Sequence, residues 1–312
     1  MQKIIIKKTD LHVSAVCLGG CPLGGYGWGN TQREDLINAV KTAYECGINF
    51  FDTADTYGLG ESERTLAEAL GGNKNNAIIT TKFGVRVENG KTFYDNSRDY
   101  IFSAVEASLK RLGRDYLDLY QVHYRDGVTP ISDVAESLER LREQGKIRYF
   151  GLSNIHEEDK AELASLGENP FVSFQDEYSL ACRKNEADML SFRDDFKMTP
   201  LTWGSLGQGI LSGKYDKNCK FDSNDRRSRN IYVNFHGEKL LKNLEIVEEM
   251  KKISEKVDKP VSAIAIRWIL DYLTDSVVIV GAKSPKQVLQ NVEATGWNLD
   301  SAQIDLLDKI SR

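Results

Sequence analysis

An aspartate, a tyrosine, a lysine and a histidine stand at or just past the ends of three apolar runs. FDTADTYGLGESERTLAEAL opens as a buried strand closing on Asp52, sets Asp55 and Tyr57 in a glycine-rich turn, and ends as a helix. AIITTK closes on Lys82 and YLDLYQVH on His123. A lysine that ends a buried strand needs a counter-charge or water, and Asp52, one strand away, supplies the charge. A tyrosine normally titrates near 10, too high for easy proton donation at neutral pH. A neighbouring ammonium stabilises the phenolate, so the sequence predicts a lowered pKa for Tyr57. His123 can donate or accept, which suits a group that orients a carbonyl oxygen. Singly, each residue also fits a structural role: a rim salt bridge, turn packing, a core histidine. Together, on successive strand ends, they describe a general acid aimed at a carbonyl.

Such an acid needs a nucleophile for the carbonyl carbon. The chain has no nucleophile elbow, no HExxH and no acidic cluster for magnesium, so no metal is expected. A bound cofactor delivering hydride fits instead. Trp203, at the end of a later strand, offers a surface for a flat ring. Ser153, Asn154 and Gln175, also at strand ends, offer hydrogen bonds to an amide. Two late loops suit phosphates. WGSLGQG follows a strand, and GAKSPKQVLQN runs into a helix whose N-terminus is close to Lys283 and Ser284. A charged cap on a solvated helix accounts equally well for the second.

The elements that carry these residues alternate between strand and helix. Helices are expected over Glu34–Cys46, Glu61–Leu70, Arg98–Leu112, Arg183–Asp195, Glu238–Val257, Val261–Leu270 and Pro285–Val292, with a last one after Asp300. Asn96 or Ser97 is expected to cap the third, and Thr129 the next helix, with Pro130 in its first turn. QKIIIK and HVSAVC suggest an N-terminal hairpin. Eight strand–helix units without a linker predict one (β/α)8 TIM barrel over residues 1–312, an α/β fold with extra C-terminal helices. The alternative, an open doubly wound sheet, wants a G-x-G-x-x-G turn that LGGCPLGGYG does not supply. Residues 215–237 are polar and lack periodicity, and a loop that long usually covers a site.

A formal net charge of -5 gives no reason to expect a nucleic-acid partner. No apolar run approaches the roughly 18 residues of a membrane span. MQKIIIKKTD lacks a signal-peptide core, so a cytoplasmic location is expected. Five scattered cysteines argue against a disulfide scaffold.

At these residues the chain resembles the aldo-keto reductase family over nearly its whole length. INFFDTADTYGLGESE, GRDYLDLYQVH, GKIRYFGLSN, VSFQDEYSL, LGQGILSGKY and VIVGAKSPKQVLQN are similar to that family's segments, in the family's order. The resemblance implies a barrel enzyme, monomeric or homo-oligomeric, that reduces a carbonyl with NADPH or, less often, NADH. It implies a catalytic tetrad of Asp52, Tyr57, Lys82 and His123, with Tyr57 as general acid. It also implies that Ser153, Asn154 and Gln175 hold the carboxamide and that Trp203 stacks on the ring. Ser205, Leu206, Gly207 and Gln208 match the pyrophosphate-side loop, and Gly281, Lys283, Ser284, Gln287 and Asn291 match the adenosine end. Lys283 beside Ser284 favours NADPH. Three positions depart from the pattern: Trp203 where tyrosine is frequent, Gly204-Ser205 where Ser-Pro is common, and Asp176 where asparagine is usual. Asp176 would favour a cationic or hydroxyl-rich substrate, or face solvent.

CPLGGYGWGN with Tyr26 and Trp28, VRVENGKTFYDN with Arg86, and the stretch up to His236 are expected to wall the substrate. Arg86, Arg125 and Arg229 are candidates for acidic groups, or a solvated rim. The mixed polarity suits a small polar carbonyl compound, sugar-like rather than steroid-like. Two other readings are an NAD(P)+-dependent dehydrogenase for a sugar or polyol and a non-catalytic NADPH-binding subunit.

Overall fold

The computed structural model describes residues 1–312. A two-stranded hairpin, β1 (Lys3–Ile5) and β2 (His12–Ser14), precedes the first barrel strand, β3 (Val16–Gly19). The chain continues through α1 (Arg33–Glu45), β4 (Phe50–Asp52), α2 (Glu61–Leu70), β5 (Ile78–Phe83), a second hairpin of β6 (Val85–Glu88) and β7 (Lys91–Tyr94), α3 (Arg98–Leu112), β8 (Leu117–Val122) and α4 (Ile131–Glu143). Then come β9 (Ile147–Ser153), α5 (Lys160–Ser165), β10 (Ser173–Glu177), α6 (Glu186–Asp194) and β11 (Thr199–Trp203). The last elements are α7 (Gly237–Val257), α8 (Val261–Tyr272), β12 (Val277–Gly281), α9 (Pro285–Val292) and α10 (Ser301–Ser311). β3, β4, β5, β8, β9, β10, β11 and β12 pair in parallel, and β12 closes on β3, so the sheet is a closed barrel.

Strand alternation divides the apolar residues into two layers. Val16, Leu18, Phe51, Ile79, Tyr120 and Val122 point outward and pack with the helices. Cys17, Phe50, Leu119, Leu201, Val277 and Ile279 form a second cluster with Ile6, Leu11 and Val13 of the N-terminal hairpin. That hairpin is the plug that shuts one end of the barrel. The same period of two places Asp52 above Phe50 on the inner face, and Gln121 then His123 above Leu119. The interior thus turns from apolar to polar toward the C-terminal strand ends, where barrel enzymes keep their chemistry.

Two expected caps are absent. Asn96 exchanges hydrogen bonds with Asp126 instead of capping α3, and Ser97 is the N-cap without a side-chain bond. Thr129 bonds Asp126, while the first N–H of α4, at Ile131, donates to Glu162 of α5. In both places Asp126 draws the polar side chain away from the helix end.

The β6–β7 hairpin lies in what the sequence suggests is an open loop. Asn89 and Gly90 both have positive φ, 51° and 75°, as a tight two-residue hairpin turn requires. Residues 215–236 are not strand or α-helix, but two short 3-10 turns, Arg226–Ser228 and Val233–Phe235, pin them down.

Candidate active site

Asp52, Lys82 and Gln175 converge inside the barrel at the ends of β4, β5 and β10. Lys82 Nζ donates to Asp52 Oδ1 at 2.8 Å, to Asp52 Oδ2 at 2.6 Å and to the Thr53 carbonyl at 3.0 Å. Gln175 Nε2 donates to Asp52 Oδ2 at 2.9 Å. The Lys82 side chain is fully buried, so its three N–H groups are all satisfied by protein. The backbone after Asp52 still follows β5: Thr53 N–H donates to Thr80 O and Asp55 N–H to Lys82 O. The chain then turns back through Gly58, whose φ is +60°. A Cβ at Gly58 would stand 2.3 Å from the Gly24 carbonyl oxygen, so only glycine lets the residue 21–25 segment seat on this turn.

The turn holds Tyr57 over the buried ion pair. Lys82 Nζ lies 5.2 Å from the centroid of the Tyr57 ring. The His123 ring meets Tyr57 edge-on, with centroids 5.6 Å apart. His123 is fixed by its backbone: its N–H donates to Phe83 O, and its carbonyl accepts from Asn154 Nδ2 at 2.9 Å. Asn154 has a φ of +53°, a conformation asparagine tolerates better than most residues.

The electrostatics differ from the sequence expectation for Tyr57. Burial, followed by the Asp52 carboxylate, holds the phenol well above its ordinary pKa. The Lys82 ammonium is ion-paired with Asp52, whose carboxylate acts on the phenol in the opposite sense. Burial and the Lys82 ammonium hold His123 well below its ordinary value, so the imidazole is neutral. The site therefore presents a protonated phenol and a neutral imidazole, side by side. His123 Nδ1 is buried without a protein partner.

The other candidate cofactor residues stand at or past the ends of β9, β11 and β12. Trp203 is half-buried at the end of β11, and Ser153 is buried at the end of β9. Ser205 is buried, with its hydroxyl turned back onto the Thr202 carbonyl at 2.9 Å. Leu206 packs against the core. Gly207, Gln208 and Gly209 all have positive φ (55°, 55° and 106°), so their backbone forms a tight concave turn. Gln208 Nε2 donates to Glu177 Oε1 at 3.0 Å. Gly281 is exposed at the rim, Ser284 is the N-cap of α9 with a free hydroxyl, and Asn291 is buried. Lys283 N–H donates to Gln287 Oε1 at 2.8 Å.

Two further cations stand near Lys283. Burial, then Arg227 and Lys214, depress the Lys283 pKa. The sequence reading missed Arg227 and Lys214, because nothing in a polar loop singles out one arginine. Arg227 is held by Asp225 and by the Tyr215 hydroxyl at 2.6 Å. Its guanidinium packs 4.4 Å from the Phe221 ring centroid. The loop that carries it is a strap. Arg226 N–H donates to Gly27 O, Trp28 bridges to Asp225, and Lys283 Nζ donates to Trp28 O at 2.7 Å.

Not every residue expected at the substrate reaches it. Arg125 is engaged by Asp159 and Glu162 and by Thr129 O, bracing the segment after β8 against α5. Arg86 pairs with Asp95 and Glu88 within its hairpin. Tyr26 is exposed, and its hydroxyl is 3.4 Å from Arg229 Nη2. Trp28 Nε1 donates to Cys21 Sγ at 3.3 Å. Asp176 neither faces the cofactor side nor opens to solvent. It alternates with Gln175, points outward, and lies 3.4 Å from His156 Nδ1, while burial pushes its carboxyl up to about 6. The row that does continue from the tetrad is aromatic. Tyr124 stacks on His123 and Tyr94 stacks on Tyr124, each with centroids 5.1 Å apart.

An inward Asp–Lys pair thus lies beneath a tyrosine and a histidine at the C-terminal ends of the strands of a closed parallel barrel. Residues 15–312 match the Aldo/keto reductase family. The chain is 34% identical to the aldo-keto reductase YhdN of Bacillus subtilis, over 96% of its own length and 91% of that protein's. It is 29% identical to an NADH-specific methylglyoxal reductase of Escherichia coli, covering 100% of this chain and 98% of that one. A solved glycerol dehydrogenase from Gluconobacter oxydans superposes with a TM-score of 0.89 at 33% identity, covering 99% of this chain and 94% of that chain. The chain belongs to the aldo-keto reductase family and is an oxidoreductase of that family.

Proposed function

We propose that the protein reduces a small polar aldehyde or ketone to its alcohol, using NADPH, with Tyr57 as the general acid. The observation that carries this reading is the convergence of Asp52, Lys82, Tyr57 and His123 at one mouth. The concave Gly207–Gly209 turn and the Lys283, Arg227 and Lys214 cations fit a dinucleotide with an extra phosphate. Lys283, Ser284, Gln287 and Asn291 would hold its adenosine end. Ser153, Asn154 and Gln175 would meet the carboxamide, and Trp203 would cover the ring. The cofactor, when bound, supplies a hydride to the carbonyl carbon.

The chain's own residues handle the oxygen. Neutral His123 has one N–H to orient it, and the Tyr57 hydroxyl releases its proton to it as negative charge develops. An alkoxide is a stronger base than a phenolate, so even a phenol of raised pKa gives up its proton at that moment. Lys82 then faces the phenolate that forms, and its attraction is realised only after proton transfer has begun. That is differential stabilisation of the transition state.

The polyol-oxidising reading has one observation behind it, the close superposition on a glycerol dehydrogenase. The same four residues serve both directions. Initial rates over a panel of aldoses, short ketoses, 2-oxoaldehydes, apolar ketones and polyols, each with NADPH, NADH or the oxidised forms, separate the readings. The proposal expects the highest kcat/KM for a polar carbonyl with NADPH. Preference for apolar ketones, or turnover only of polyols, would overturn it.

A further inference from the structure

Two residues before Tyr57, Asp55 is tied to a tyrosine that the mechanism above does not use. Its Oδ2 lies 3.2 Å from the Tyr100 hydroxyl of α3, and its Oδ1 is buried with no protein partner. The same hydroxyl lies 3.4 Å from the carbonyl oxygen of Val85, the first residue of the β6–β7 hairpin. Arg86, the next residue, places its guanidinium 5.0 Å from the centroid of the Tyr100 ring. Tyr100 therefore sits at the junction between the Tyr57 turn and the root of the hairpin.

We propose that Asp55 and Tyr100 are a positioning pair that fastens the Tyr57 turn to the root of the hairpin and so sets the substrate wall. The hairpin ends in Tyr94, which stacks on Tyr124 and closes the aromatic row leading to His123 and Tyr57. Asn96, just past the hairpin, donates to the Tyr124 carbonyl at 3.1 Å and braces the same row. A loosened root displaces Tyr94 and leaves the tetrad in place, because Asp52, Lys82 and His123 lie on or directly beside barrel strands and the Tyr57 turn stays seated on the residue 21–25 segment.

Proton counting gives the fastening a pH dependence. A phenol has one proton, and here two acceptors surround it. With Asp55 ionised, Tyr100 serves either Asp55 or Val85 O, and one link is lost. With Asp55 protonated, the carboxyl donates to Tyr100 Oη and Tyr100 donates to Val85 O, so both links close. Burial, then Glu63, pushes the Asp55 carboxyl up to about 7. The other charged and titratable groups packed there are few. Glu63 of α2 is paired with Arg111 of α3 and accepts from Thr81. Tyr120 of β8 is buried with an unpartnered hydroxyl, and Arg86 with Asp95 covers Tyr100 from the hairpin side. None of them donates to Asp55 in place of Tyr100.

The kinetic arm of the test rests on the reductase reading, and the exchange arm does not. Wild type, Asp55→Asn and Tyr100→Phe are compared between pH 6 and 8 for the KM and kcat of a polar carbonyl. In parallel, amide exchange of residues 85–94, corrected for intrinsic rate, is followed without substrate. KM and hairpin exchange of the wild type are expected to rise with pH, by roughly two- to tenfold, the worth of one hydrogen bond. Asp55→Asn, whose amide donates permanently, should stay low and flat in both. Tyr100→Phe should be high and flat in both, with kcat changed less than KM. Hairpin exchange that is identical in the three proteins would overturn the proposal, whatever the enzyme turns over. So would a KM that rises in parallel in all three.

Discussion

At the scale of single residues, the four side chains proposed as the catalytic group stood out because each is an unusual type at or just past a strand end, and the structure brings them together. What stayed hidden is how their charges are shared. Proximity of Lys82 to Tyr57 suggested an acidified phenol. The structure shows the ammonium saturated by Asp52 and Thr53 O, and a phenol whose pKa burial raises. Hydrogen-bond saturation depends on three-dimensional placement that no spacing encodes. The same is true of Arg125, which beside the expected substrate loops suggested a contact with an acidic group but is consumed by Asp159 and Glu162. One consequence can be measured. Lys82→Met leaves Asp52 buried without its partner, and breaking such a pair costs about 3–5 kcal/mol. Urea unfolding should register that loss together with a large fall in kcat. A variant as stable as wild type would show that the pair is not the anchor described.

Among the elements, most boundaries followed from periodicity and punctuation. Glu61–Leu70, Arg98–Leu112 and Pro285–Val292 lie where the sequence puts them. The β6–β7 hairpin was missed although Asn89-Gly90 carries its turn signal, because its strands are only four residues each, with two residues of β6 and all four of β7 exposed. The strap over residues 215–236 is held by Arg227 and Asp225, contacts that a polar, aperiodic segment does not announce. Arg227 of the strap, Lys214 just before it and Lys283 come from separate segments but share one patch of field. Lys283→Met should therefore weaken NADPH more than NADH, since the difference between them is a phosphate. The loss should be on the order of 10- to 100-fold in Kd, as for a charge-assisted hydrogen bond. Fluorescence titration with the two dinucleotides checks this, and equal weakening of both would remove Lys283 from the phosphate.

For the whole molecule, the barrel was predictable from eight repeated units, and the closed sheet of parallel strands bears that out. The helices contain no segment long and apolar enough to cross a membrane. Global stability should carry the signature of Asp55. Its carboxyl, raised from 3.8 to about 7, retains its proton in the fold where the unfolded chain has lost it. The native state then binds more protons between about pH 4 and 7, so this group's contribution falls as pH rises through that window and is flat above it. Asp176, raised to about 6, acts in the same sense, while His123, held low, acts in the opposite sense below its ordinary value. The wild-type curve mixes all three, and the difference between wild type and Asp55→Asn isolates one. Wild type should lose stability relative to Asp55→Asn as pH rises from 4 to 7, measured by urea midpoints. A constant difference would mean that Asp55 titrates normally.

The central claim is that the Tyr57 hydroxyl is the proton donor above a separately held cofactor. The most direct measurement is Tyr57→Phe, assayed for NADPH binding by fluorescence and for turnover of the best carbonyl in the panel. The account predicts an unchanged Kd and a kcat lowered by roughly 10²- to 10⁴-fold, the usual worth of a general acid. Turnover near the wild-type rate with intact binding would contradict it.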